Sequence, residues 1–148
     1  MFKTIVVGLD GSETSDRAMR VACDLAKTYD ATLHLVHSPQ PQTVAFATGA
    51  IAGYHMVTTM PSEKVVRAAA EKVMDAAREI ARDVGVTVGE TRTDRGDPVA
   101  QIIDCAEGLD ADLIVTGRRG LGSLGALVQG STSLGVSHKA HCACLSIV

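Results

Sequence analysis

Apolar positions along the chain follow two alternating rhythms. Thr4 to Leu9 is a short, β-branched, uninterrupted apolar run, the pattern of a parallel strand buried on both faces. Ala18, Val21, Ala22 and Leu25 then recur at i, i+3, i+4 and i+7, one face of a helix that Ser12 can cap. Ala31 to His37 predicts a second strand. Pro61-Ser62 opens a long helix with Val66, Ala70, Val73, Ala77, Ile80 and Val84 on its buried face, and Gly85 suits its left-handed end. Val86 to Arg95 predicts a third strand. Asp97 as N-cap and Pro98 as the first helical residue lead into Val99, Ile102, Ile103 and Ala106. Ala111 to Thr116 and Cys144 to Val148 are the last two strands, with a helix expected to begin between them near Gly130-Ser131.

Strict alternation of strands and helices predicts an α/β fold, a parallel sheet with helices on both faces. No shift in composition divides the chain, so residues 1–148 are expected to form one domain. At 148 residues it can bury roughly two-thirds of its unfolded surface without disulfides or metal. In such sheets ligands sit beyond the carboxyl ends of the strands, where strand order reverses. The segments after Leu9, His37 and Thr116 are therefore where chemistry is expected.

Composition narrows the choice of partners. Hydrophobic residues make up 46% and charged residues 21%, which excludes wholesale disorder. The formal charge is -3 with 3% aromatics, so the chain lacks the positive field and stacking platforms of a broad nucleic-acid binder. No apolar stretch approaches membrane-spanning length, and Asp10 interrupts the opening run too early for a secretory leader. The expectation is a cytoplasmic protein, with no membrane partner, whose Cys23, Cys105, Cys142 and Cys144 are reduced.

The segment after Thr116 carries the most chemistry. Gly117, Gly120, Gly122, Gly125 and Gly130 are too dense for a helix interior, and Ser131, Thr132 and Ser133 follow. Such a loop turns backbone N–H groups inward, and a helix starting near Ser131 points its positive end the same way. The combination suits phosphate. It is not a Walker loop, because no Gly-Lys-Ser/Thr follows. A surface loop with a capping serine would look similar; the position directly after a buried strand at a switch point favours binding.

The spacing Gly117-x-x-Gly120, nine residues, then Gly130-Ser131 resembles the nucleotide-binding signature of the universal stress protein family. The resemblance runs over essentially the whole chain, through Ile5-Val6-Val7-Gly8-Leu9-Asp10-Gly11-Ser12, Leu35-Val36-His37 and Gly96-Asp97-Pro98. It implies a Rossmann-like five-stranded parallel sheet of order 3-2-1-4-5 and, in the family's ATP-binding branch, a nucleotide across the ends of strands one, two and four. It also implies pairing into a homodimer through the last strand. Carried over, Asp10 matches the acidic nucleoside anchor, Ser38 the adenine contact, and Gly117, Gly120, Gly130 and Ser131 the phosphate positions. Thr132 stands next to them as a further donor. Charge alone suggests Arg118 or Arg119 as a phosphate neutraliser. By its residues alone Asp10 reads as a turn or cap; by the resemblance it meets a ribose hydroxyl or a divalent cation such as Mg or Mn.

Other constellations are weaker. His138, His141, Cys142 and Cys144 are soft ligands in one short stretch, but most such residues are simply buried or solvated, so no metal site is expected. His37 reads as a polar strand end, and the long connection Pro39 to Met60 as a lid or partner surface. No nucleophile–base set or carboxylate pair appears. The expected function is a stress-response adenine-nucleotide (ATP) switch with at most slow hydrolysis. A nucleotide-independent dimeric scaffold is the alternative, and a transferase or ligase a weaker third.

Overall fold

In the computed structural model, residues 1–40, 61–118 and 131–148 are described, and they form a five-stranded sheet with four helices. In chain order these are β1 (Thr4–Leu9), α1 (Glu13–Tyr29), β2 (Thr32–His37), α2 (Glu63–Asp83), β3 (Val88–Arg92), α3 (Pro98–Gly108), β4 (Leu113–Gly117), α4 (Ser131–Lys139) and β5 (Ala143–Ile147). The sheet order is β3-β2-β1-β4-β5 and every pairing is parallel. The chain runs from β1 outward to β2 and β3, then returns to the other side of β1 for β4 and β5. The order therefore reverses between β1 and β4.

Alternation along the strands divides the core in two. Ile5, Val7, Leu33, Leu35, Leu113 and Val115 face α1 and α2. Val6, Val36 and Ile114 face α3 and α4, meeting Ile102, Ile103, Cys105, Ala106 and Val136. Both faces of the central strands are covered, which is why β1 and β4 read as unbroken apolar runs.

Helix ends follow the expected caps. The Ser15 N–H donates to Ser12 Oγ, the Ala100 N–H donates to Asp97 Oδ2, and Gly85 takes a φ of 71°. Strand boundaries shift by one to three residues, most at β3, which spans Val88–Arg92 rather than Val86 to Arg95. The Ala31 N–H donates to the Ala26 carbonyl and the Ala111 N–H to the Ala106 carbonyl, so both alanines finish helices rather than start strands. On α2, Met74 and Ala81 are buried, Val73 and Ile80 are half-buried, and Val84, the residue just past the helix end, is exposed. Among the described residues no helix is long and apolar enough to cross a membrane.

Candidate functional site at the carboxyl ends of the central strands

Strand register brings three expected positions side by side. Leu9 pairs with His37 and Gly8 with Thr116. Asp10, Ser38 and Arg118 are the first residues beyond the ends of β1, β2 and β4. This is the point where the strand order reverses, the crevice such sheets offer to ligands.

Asp10 is anchored by its own turn. The N–H and Oγ–H of Ser12 both donate to Asp10 Oδ1, at 2.9 and 2.6 Å, and the Asp10 N–H donates to Ser15 Oγ at 3.2 Å. Gly11 between them takes a φ of 81°, a left-handed turn that also brings its Cα against Val73 of α2. The turn reading of Asp10 is thus correct as local structure, and it holds the carboxylate in one orientation at the crevice.

Ser38 faces outward along the sheet to the β3–α3 turn. Its Oγ–H donates to the Gly96 carbonyl at 3.0 Å, and Gln40 Nε2 donates to the same oxygen at 2.9 Å. The side chain is therefore occupied by the fold, and the backbone at the end of β2 is pinned by it.

Gly117 meets α1 rather than open space. A Cβ there would lie 3.1 Å from the Ser15 nitrogen and the Thr14 carbonyl carbon, so its absence lets β4 end against the first turn of α1. The Arg118 N–H donates to the Ile147 carbonyl at 2.6 Å, and its side chain is exposed. α4 begins at Ser131, with Thr132 half-buried and Ser133 only 1% exposed. Ser133 Oγ–H donates to the Arg118 carbonyl at 3.5 Å, which sets the amino end of α4 on the end of β4. The amino end of this helix thus lies at the same end of the sheet. Arg119, Gly120 and Gly130 lie outside the described residues, as does most of the 39–60 connection.

Three residues of this region carry more than the sequence suggested. His37, 6% exposed, contacts the Leu9 carbonyl through Nδ1 at 2.8 Å and ties the ends of β1 and β2 together. Burial pushes its pKa below the usual histidine value, while the Leu9 bond and the Asp10 charge pull the other way. A histidine closing a mostly apolar strand was the available signal. Ser15 left no signal, since a serine in a first helical turn is common. Gly96 was visible only as part of a capped turn.

The universal stress protein family model matches residues 1–147. A Thermus aquaticus protein described as a universal stress protein in the QAH/OAS sulfhydrylase 3′ region is 32% identical over 151 aligned residues, covering 99% of this chain and 99% of its own. Among solved structures, universal stress protein UspA from Lactobacillus plantarum matches with a TM-score of 0.77 at 25% identity, over 99% of this chain and 98% of that one. A universal stress protein in complex with cAMP matches at a TM-score of 0.71 and 24% identity, over 99% and 96% of the two chains. One from Archaeoglobus fulgidus in complex with dAMP matches at 0.70 and 23%, over 99% and 98%. At these last identities the likeness is one of fold.

Proposed function

This chain belongs to the universal stress protein family, and from that premise we propose that it binds an adenine nucleotide, ATP in the first instance, at the carboxyl ends of β1, β2 and β4. The observation that carries the reading is that Asp10, Ser38 and Arg118 directly follow the ends of the neighbouring strands β1, β2 and β4, with the amino end of α4 held to the Arg118 carbonyl. The cAMP and dAMP complexes of proteins with this fold support it. In this reading Asp10 accepts from a ribose hydroxyl, the backbone at Ser38 meets adenine, and the amides of Gly117, Gly120, Gly130, Ser131 and Thr132 meet phosphate. Arg119 or Arg118 offsets phosphate charge.

A divalent cation fits here only as the companion of the phosphates. Among the described residues no trio of His, Cys, Asp or Glu is grouped to hold one, and Asp10 already accepts two hydrogen bonds from Ser12. Mg or Mn would keep mostly phosphate and water ligands, an ordinary arrangement for such ions. In this reading occupancy rather than turnover is the signal, and any hydrolysis is slow.

The test is chemical and then energetic. Purified protein is denatured and the supernatant chromatographed for released adenine nucleotide, after which ATP, AMP and cAMP are titrated calorimetrically with Mg present. Gly120→Val is the informative variant, because Gly117→Val would also strike the α1 backbone. A loss of roughly tenfold or more in affinity is expected, equivalent to about 1.4 kcal/mol. Equal binding by wild type and Gly120→Val, or no binding by either, refutes the reading.

The second reading, a homodimeric scaffold, has one observation in its favour. β5 is the edge of the sheet beyond β4, with Ala143 and Cys144 exposed, and such edges accept a further strand. A stable dimer by sedimentation in protein that binds no nucleotide would favour it.

A further inference from the structure

The pairing of β2 with the edge strand β3 contains an irregularity away from the nucleotide crevice. Leu33 pairs with Val88, but Leu35 pairs with Thr91, so the single residue His34 stands opposite two, Gly89 and Glu90. That is a bulge, with one residue too many on β3 and one amide without a strand partner. The His34 side chain supplies the partner. The Glu90 N–H donates to His34 Nδ1 at 2.9 Å. Gly89 makes room for the ring, since a Cβ there would lie 2.7 Å from His34 Cε1 and 3.1 Å from Nδ1.

This bond specifies the protonation state. A ring nitrogen that accepts a hydrogen bond carries no proton, so the neutral ring holds its hydrogen on Nε2. Adding a proton to Nδ1 turns the acceptor into a donor facing a donor. The surroundings offer little compensation. On β3, Glu90 favours the charged ring and Arg92 opposes it, and these two are paired with each other at 2.6 Å. On the α3 layer, the buried Cys105 thiol shares the neighbourhood of the same two charges, and burial keeps it neutral. β1 places uncharged Val6 opposite. Burial of the ring adds to the cost of charging it.

We propose that His34 is a proton-operated catch on the β3 edge: the neutral ring holds the Glu90 amide and the bulge, and the protonated ring releases them. Acidification would then loosen one edge of the sheet while β1, β2 and β4 stay paired. The loosened strand leads directly into the turn at Gly96 that Ser38 and Gln40 grip, so the effect has a path to the end of β2. The inference stands on the bulge alone and does not require that nucleotide binds.

Nitrogen-15 and amide NMR on the full chain, from about pH 7.5 to about pH 5, tests it. At neutral pH the ring shifts should show Nδ1 bare and Nε2 protonated. As the ring titrates, the Glu90 amide resonance should move, and its hydrogen-exchange protection, corrected for intrinsic rate, should fall at least roughly tenfold relative to Leu35. His34→Asn, whose side-chain oxygen accepts but cannot be protonated, should hold the Glu90 amide steady over the same range. The opposite tautomer, a Glu90 amide indifferent to the ring's titration, or an equal response in His34→Asn each overturns the proposal. If the variant does not fold, the wild-type tautomer and amide response decide the matter.

Discussion

Asp10 shows how one side chain can build local structure at the position proposed for a ligand contact. Its Oδ1 takes both donors of Ser12, and Ser12 Oγ in turn caps α1, so the carboxylate is oriented by the helix it helps to start. This much follows from Asp10-Gly11-Ser12 as a string of residues, because all partners lie within a few positions. The thiols behave differently. Cys23 and Cys105 are buried, and burial, reinforced by Asp24, pushes Cys23 up to about 11. Cys142 is half-buried against the α3–α4 core, and only Cys144 is exposed. Native protein treated with a thiol reagent at neutral pH should therefore modify Cys144 first and leave Cys23 and Cys105 unreacted until unfolding, as read by mass spectrometry of the digested product. Rapid labelling of Cys23 would contradict the packing of α1. Spacing in the sequence could not rank these four, since exposure depends on which layer covers each strand.

Elements meet at places that periodicity does not reveal. Of the helical face read as Ala18, Val21, Ala22 and Leu25, Ala18 and Ala22 are buried while Val21 and Leu25 are half-buried, and the buried surface also takes in Met19, Cys23 and Ala26. A wide buried face results when a helix crosses several strands and also touches a second helix, here α2. Gly117 reads in the sequence as the first residue of a phosphate loop. In the fold it is also the point where β4 ends against the backbone of Thr14 and Ser15. Gly117→Ala should destabilise the protein by about 1–3 kcal/mol, seen as a lower urea midpoint with an unchanged slope. Its effect on a ligand would have to be separated from that loss, and wild-type stability in the variant would show that α1 does not press on β4 as described.

For the molecule as a whole, acid should act in two separate ranges. His34 and His37 both have pKa values lowered chiefly by burial, so the folded chain binds fewer protons there than the unfolded one. Their contribution to stability is complete above the ordinary histidine value of 6.5 and is lost as pH falls from there through the lower folded values. Asp112, whose carboxylate accepts from the Lys3 and Thr4 N–H groups, is lowered from 3.8 and loses its contribution only at still lower pH. Urea denaturation should thus show stability declining between about pH 7 and about pH 5, well before carboxylates protonate. A flat profile across that interval would mean the two rings charge without cost in the folded state.

The alternation of strand and helix, the caps at Ser12 and Asp97, the turn at Gly85 and the parallel sheet of order 3-2-1-4-5 were all contained in the chain itself or in its resemblance to a family. Those features rest on neighbours a few residues apart, or on burial patterns that repeat along one element. Three things were settled only by folding: the seating of Gly117 on α1, the grip of Ser38 on Gly96, and the insertion of His34 into the gap beside Glu90. Each joins residues more than fifty positions apart through contacts of about 3 Å, and only the register between packed elements decides which distant atoms come that close.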